Sequence, residues 1–117
     1  KEANGAFAEA CRAVEPDPGT VFLMDERFHG CYVTQAAGPR LRALHDAVKP
    51  QAERYERLYA TSVTAELSNS IKEHERIVAA IAAGDPVESE DAVRTNWRNA
   101  AARLGKIIAR TGERGSW

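Results

Sequence analysis

Asp25 and His29 stand four residues apart in the stretch MDERFHGCY (residues 24–32), flanked by Phe22, Phe28 and Tyr32. Positions i and i+4 of a helix share a face, and the aromatic neighbours turn that face inward. A carboxylate held in a helical core without a partner costs several kcal/mol, so it must meet a cation or a hydrogen-bond donor. A second polar residue sits in the same way on another segment. Leu67, Ile71, Val78 and Ile81 are spaced as one helical stripe, and His74 fills the position where the pattern calls for an aliphatic side chain. Two inward ligands on one helix and a third on a facing helix match the way bundles build metal sites. Imidazole with carboxylate suits zinc, nickel, manganese or iron. The residues alone leave one alternative open, in which Asp25 accepts from His29 or His74 and no metal is involved.

Asn96 extends the set. Val93, Ala100, Leu104 and Ile107 define an inner face on the last helical segment, and Asn96 lies on that stripe beside Trp97. Its amide oxygen can ligate weakly or bond a ligand, or the residue can sit at the stripe's edge facing water. Ser70, one turn before His74, and Tyr32, near one turn after His29, are placed to line the same cavity. His45 borders the Leu41–Leu44–Val48 stripe and reads as a boundary residue. No glycine-rich loop precedes a helix and no GxSxG is present, so phosphate-cradling and serine-hydrolase sites are not indicated.

The elements that must position these residues are helices. The pattern predicts helices over about 1–14, 20–37, 39–60, 62–83 and 86–111. "EPDPGT" stops the first, and Thr20 reads as the N-cap of the second, which Gly38 ends. Pro39 falls in the first turn of the third, and Pro50 inside it should kink the helix. Asp85 reads as the cap of the fifth, with Glu88 as its capping-box partner. Glu88, Glu90 and Asp91 early, and Arg103, Lys106 and Arg110 late, complement the helix dipole and read as a solvated face. "RTGERGSW" reads as a frayed tail. Strand signals are nearly absent, so the fold class is all-α, an antiparallel helical bundle with short loops.

The totals agree. A chain of 117 residues suits a single domain. Sixteen basic against seventeen acidic residues give a net charge of −1, without the basic excess of a nucleic-acid binder. No apolar run approaches the roughly 20 residues needed to cross a bilayer, and the start lacks the layout of a signal peptide. Cys11 and Cys31 form no CxxC pair and fit a reducing, cytoplasmic compartment. The opening KEANGAFAEA begins in mid-pattern, as a fragment of a longer protein would.

Two segments, DERFHGCYVTQAAGPRL and KEHERIVAAIAAGDPVESEDAVRTNW, resemble the FCD-type C-terminal effector domain of FadR-subfamily regulators in the GntR superfamily. The first holds that family's D-x3-H at Asp25–His29; the second holds its E-H-x2-I-x2-A-I-x2-G-D over Glu73–Asp85. The resemblance covers about residues 5–110. It implies a bundle that binds a small organic acid beside a divalent metal, forms a homodimer, and meets DNA only through a preceding winged-helix domain that this chain does not contain. It further implies that the first helix of the full domain is missing or partial. The implied metal ligands are Asp25, His29 and His74, with a fourth, ordinarily histidine, at the position of Asn96. The turn AAGPRL also lacks the family's usual Asn between Gly and Pro. A metal-dependent hydrolase and a purely structural dimerisation bundle are the competing functions; the former wants a general base, and Glu73 points about 100° away from His74 on a helix.

Overall fold

The computed structural model describes residues 1–58 and 67–112. Within them the chain forms five helices and no strand: α1 Glu2–Cys11, α2 Pro18–Ala36, α3 Pro39–Leu58, α4 Leu67–Ala83 and α5 Pro86–Thr111. The helical expectations for 59–60 and 62–66, and the expected tail beyond 112, lie outside the described residues.

Helix starts follow local chemistry more closely than the stripe pattern. α2 begins earlier than Thr20, because Asp17 is its N-cap and Pro18 takes the first helical position. The Asp17 carboxylate accepts from the Thr20 amide at 2.9 Å and from the Thr20 hydroxyl at 2.6 Å, satisfying an amide that has no partner within the helix. α1 stops at Cys11, with the Arg12 amide shared between the Ala8 and Glu9 carbonyls. Asp85 caps α5 as expected, accepting from the Glu88 amide at 3.0 Å. The reciprocal half of the expected capping box does not form. The Asp85 amide donates to the Ala80 carbonyl, and the Glu88 carboxylate is taken by Arg76 at 2.7 Å. Gly84 makes the turn between α4 and α5 at φ +69, a left-handed conformation that a residue without Cβ adopts cheaply.

α3 runs unbroken through Pro50. Proline removes one amide from the ladder, but α3 buries no residue along its length, so water can satisfy the carbonyl left over. The Leu41–Leu44–Val48 stripe is accordingly not core; these side chains are 62%, 66% and 61% exposed.

The core lies among the other four helices. α1 packs on α2 and α4, and α4 packs on α5, while α3 lies only loosely against α2. Phe7, Ala8, Val21, Leu67 and Ile71 form one buried cluster. Phe28, Ile77 and Ala92 form a second. Burying side chains of this size contributes roughly 1.5–3 kcal/mol each. The inner face of α4 turns along its length: Leu67 and Ile71 face the first cluster, Ile77 and Ala80 are buried further on, and Ile81 is half exposed. The expected Val78–Ile81 seam is thus displaced by one position onto Ile77 and Ala80, with Val78 only partly buried against the cluster that holds Ile77. On α5 the buried positions are Ala92, Asn96 and Ile107, while Ala100, expected inside, is exposed.

Candidate metal centre

α2 and α4 bring Asp25, His29 and His74 together. Their donor atoms all lie within 4.8 Å of one another. Asp25 Oδ1 stands 3.3 Å from His74 Nε2 and 3.6 Å from His29 Nε2. Two ligand atoms each about 2.1 Å from a four-coordinate cation stand roughly 3.4 Å apart, so both spacings suit a shared ion.

His74 is 1% exposed, wedged between rings. Phe28 stacks on it at 4.0 Å between centroids, and Phe7 lies tilted at 4.6 Å. The short distance to Asp25 lacks hydrogen-bond alignment, and neither ring nitrogen of His74 has a hydrogen-bond partner among the described residues. A buried polar atom left in that state costs about 1–3 kcal/mol, and a bound cation would remove the cost at Nε2. The residues present therefore fit a metal.

His29 is held from its other side. Its Nδ1 meets the Tyr32 hydroxyl, which fixes the ring and leaves Nε2 facing Asp25, as outer partners of metal-bound histidines do. Burial pushes the Tyr32 phenol up to about 12 against a hydrogen bond from Trp97, with the charge of Asp25 adding to the rise. The phenol stays protonated at neutral pH. Trp97 lies 5.2 Å from the His29 ring. Burial pushes the Asp25 carboxyl upward, but His29 and His74 more than offset it and hold the group well below the usual carboxylate range. Asp25 is therefore an anion, and a third of its side chain stays accessible. Burial also pushes Cys11 up to about 11, Asp25 adding to it and Arg12 opposing, and its sulfur is not among the clustered donors.

Asn96 is buried rather than at the stripe's edge facing water, but it belongs to a different network. Its amide nitrogen donates to Glu73 Oε2 at 2.9 Å. Asn99 donates to Glu73 Oε1 at 2.8 Å. Arg103 grips both carboxylate oxygens at 2.9 and 3.1 Å and reaches Ser70 Oγ at 3.2 Å. Ser70 thus sits with Arg103, and Arg103 is no part of a solvated face. The α4–α5 hairpin is closed by this network and by Arg76, which pairs with Glu88 and with Asp91 at 2.6 Å. Glu73, so occupied, is no general base for the metal site. His45 stands at the edge, against Asp46 at 3.1 Å.

Three features were not singled out in the sequence: Phe7 packing on His74, the Glu73–Arg103 grip, and buried Asn4, whose side-chain oxygen is unpaired among the described residues. Alternation of burial along α1 could have indicated Phe7. The ion pair needed the register between α4 and α5.

Two members of the triad, Asp25 and His29, line a cleft of about 800 Å³ between α2 and α3, with Glu56 and Trp97, while His74 lies buried behind them. Burial pushes Glu56 up to about 7, Asp25 and Glu53 adding to it and His29 opposing.

A helical bundle whose inward carboxylate and imidazole open into a cleft has the make-up of a ligand-binding module. The family follows from the sequence match: residues 1–99 fit the model of the FCD domain, and the chain belongs to that family, the C-terminal effector domain of GntR-family regulators. Such a domain is regulatory and effector-binding rather than catalytic. Among curated proteins and among solved structures nothing matches the chain. No helix among the described residues is long and apolar enough to cross a membrane.

Proposed function

We propose that Asp25, His29 and His74 hold a divalent cation, zinc, nickel or manganese, and that a small organic acid is sensed there. The orphaned nitrogens of His74 carry this reading. A histidine buried among Phe7, Phe28 and His29 with no hydrogen-bond partner among the described residues is costly in a merely structural core, whereas a cation between donors spaced 3.3 and 3.6 Å apart gives it a purpose. The cation would supply positive charge and open coordination positions suited to a carboxylate oxygen. Asp25 brings the counter-charge, Tyr32 sets the His29 ring, and Phe28 and Phe7 fix the plane of His74. Asn96, at the position of the usual fourth ligand, serves the Glu73 network instead.

The 117-residue chain acts on this reading as one effector-binding and dimerisation domain of a cytoplasmic regulator, and contacts DNA only through a winged-helix domain outside it. Ligand binding shifts the dimer by favouring one arrangement over another, since a ligand that binds both equally shifts nothing.

Elemental mass spectrometry of the purified chain tests the metal. Near-stoichiometric metal is expected in the wild type and none in His74→Ala. If neither binds metal after reconstitution with zinc, nickel and manganese, the triad is a polar ligand pocket or a hydrogen-bonded core and the metal reading fails.

A further inference from the structure

The walls of the cleft set the kind of acid it suits. Leu41, Leu44 and Val48 recur at helical spacing on α3 and all turn toward the cleft instead of the core. Phe22 and Leu23 of α2 line it too, Leu23 being 45% exposed. Of the charged groups in the lining, Lys49 pairs with Glu26 and, at 3.4 Å, with Glu53, while Glu56, Arg57 and the Asp25 and His29 of the triad also border the cleft.

Volume decides between ligand sizes. A cleft of about 800 Å³, partly open to solvent, holds many waters. An acid of six heavy atoms would displace only a handful of them and leave the leucines wet. Clefts of this size ordinarily bury much larger, mainly apolar ligands.

Resting on the reading of the triad as a metal and effector site, we propose that the effector is a monocarboxylate with an apolar tail, its head at the metal and its tail between Phe22 and Leu23 on α2 and Leu41, Leu44 and Val48 on α3. A polyhydroxylated acid is disfavoured, because its hydroxyls would lose water against side chains that cannot bond them. The tail also gives α3 its missing partner: a helix that buries nothing alone is drawn against α2 when a ligand fills the space between them.

The test is calorimetric titration of the zinc-loaded chain with straight-chain acids from butyrate to octanoate, beside gluconate. Full burial of the tail raises affinity about fourfold per added methylene, the equivalent of about 0.8 kcal/mol. A paired substitution, Leu44→Asn with Val48→Asn, should flatten that slope. Both side chains are exposed, so circular dichroism and zinc content confirm that the variant is folded and loaded. Acids that bind with no dependence on chain length, or gluconate binding more tightly than octanoate, overturn the tail proposal but leave the metal reading standing. A flat series together with loss of a dimer in sedimentation of Leu44→Glu likewise overturns it and gives the face to a second copy of the chain. No binding of any acid to zinc-loaded protein overturns the effector reading itself.

Discussion

At the scale of the residue, His74 sets stability against function. Its ring fills space between Phe7 and Phe28 as a leucine would, yet carries two nitrogens with no hydrogen-bond partner among the described residues. Replacing a buried unsatisfied polar group by an apolar one of similar shape is near neutral or stabilising. His74 also helps hold the Asp25 carboxylate low, so the two effects oppose each other: His74→Leu is expected to change the stability of the metal-free chain by less than about 1 kcal/mol, and to abolish metal binding. Urea unfolding in chelator, with metal content measured beside it, reads both effects. A metal-free variant destabilised by more than about 1 kcal/mol would mean that the ring's nitrogens are satisfied in the folded chain. His74 was legible in the sequence because one polar residue interrupted an otherwise aliphatic stripe. Asn96 interrupted a stripe in the same way, but a stripe position states only that a side chain is buried. It does not state which neighbour receives it, and Glu73 does.

At the scale of the element, the α4–α5 hairpin carries two arginines of unequal weight. Arg103 and Glu73 are 17% and 13% exposed and bonded through both carboxylate oxygens. Arg76 pairs with Glu88 and Asp91 at 39% exposure. Burial pushes the Glu73 carboxyl upward, and Arg103, Asn99 and Asn96 more than offset it to leave it below its ordinary value. Removing Arg103 strands that carboxylate half-buried with amide donors alone, so Arg103→Met is expected to cost about 2–3 kcal/mol. Arg76→Met, at the surface, should cost less than about 1 kcal/mol. Chemical denaturation of the two variants checks the ordering, and equal losses would refute it. The sequence located the helices because proline, glycine and the Asp85 cap are local signals. It misplaced the start of α2, where Asp17 outcompetes Thr20 by standing directly before Pro18. It could not separate Arg103 from Lys106 and Arg110 as surface charges, because an interhelical ion pair depends on the register of two helices and leaves no local mark.

At the scale of the molecule, α3 carries a regular apolar stripe and is yet the least anchored helix in the fold. The Leu41–Leu44–Val48 repeat resembles that of a core helix, yet α3 buries nothing and meets α2 across the cleft. Periodicity reports that a face is apolar, and whether protein or ligand covers it is settled by tertiary packing alone. The remainder of the bundle closes around the triad, with α1 supplying Phe7, α2 supplying Phe28, and α5 covering α4. A cation bound at Asp25, His29 and His74 would thus tie α2 to α4 through the centre of the core and stabilise the folded chain by mass action. At a free metal concentration a hundred times the dissociation constant the gain is about 2.7 kcal/mol, a rise of roughly 10 °C in Tm for a domain of this size. The sign of its pH dependence follows from the donors. Imidazoles and carboxylate bind metal only when deprotonated, so the dissociation constant rises as pH falls, and the increment present at neutral pH shrinks toward zero in acid. Thermal melts with zinc and with chelator, recorded from neutral to mildly acidic pH, should therefore converge as the pH is lowered. An increment that persisted unchanged into acid would place the metal on groups other than these three.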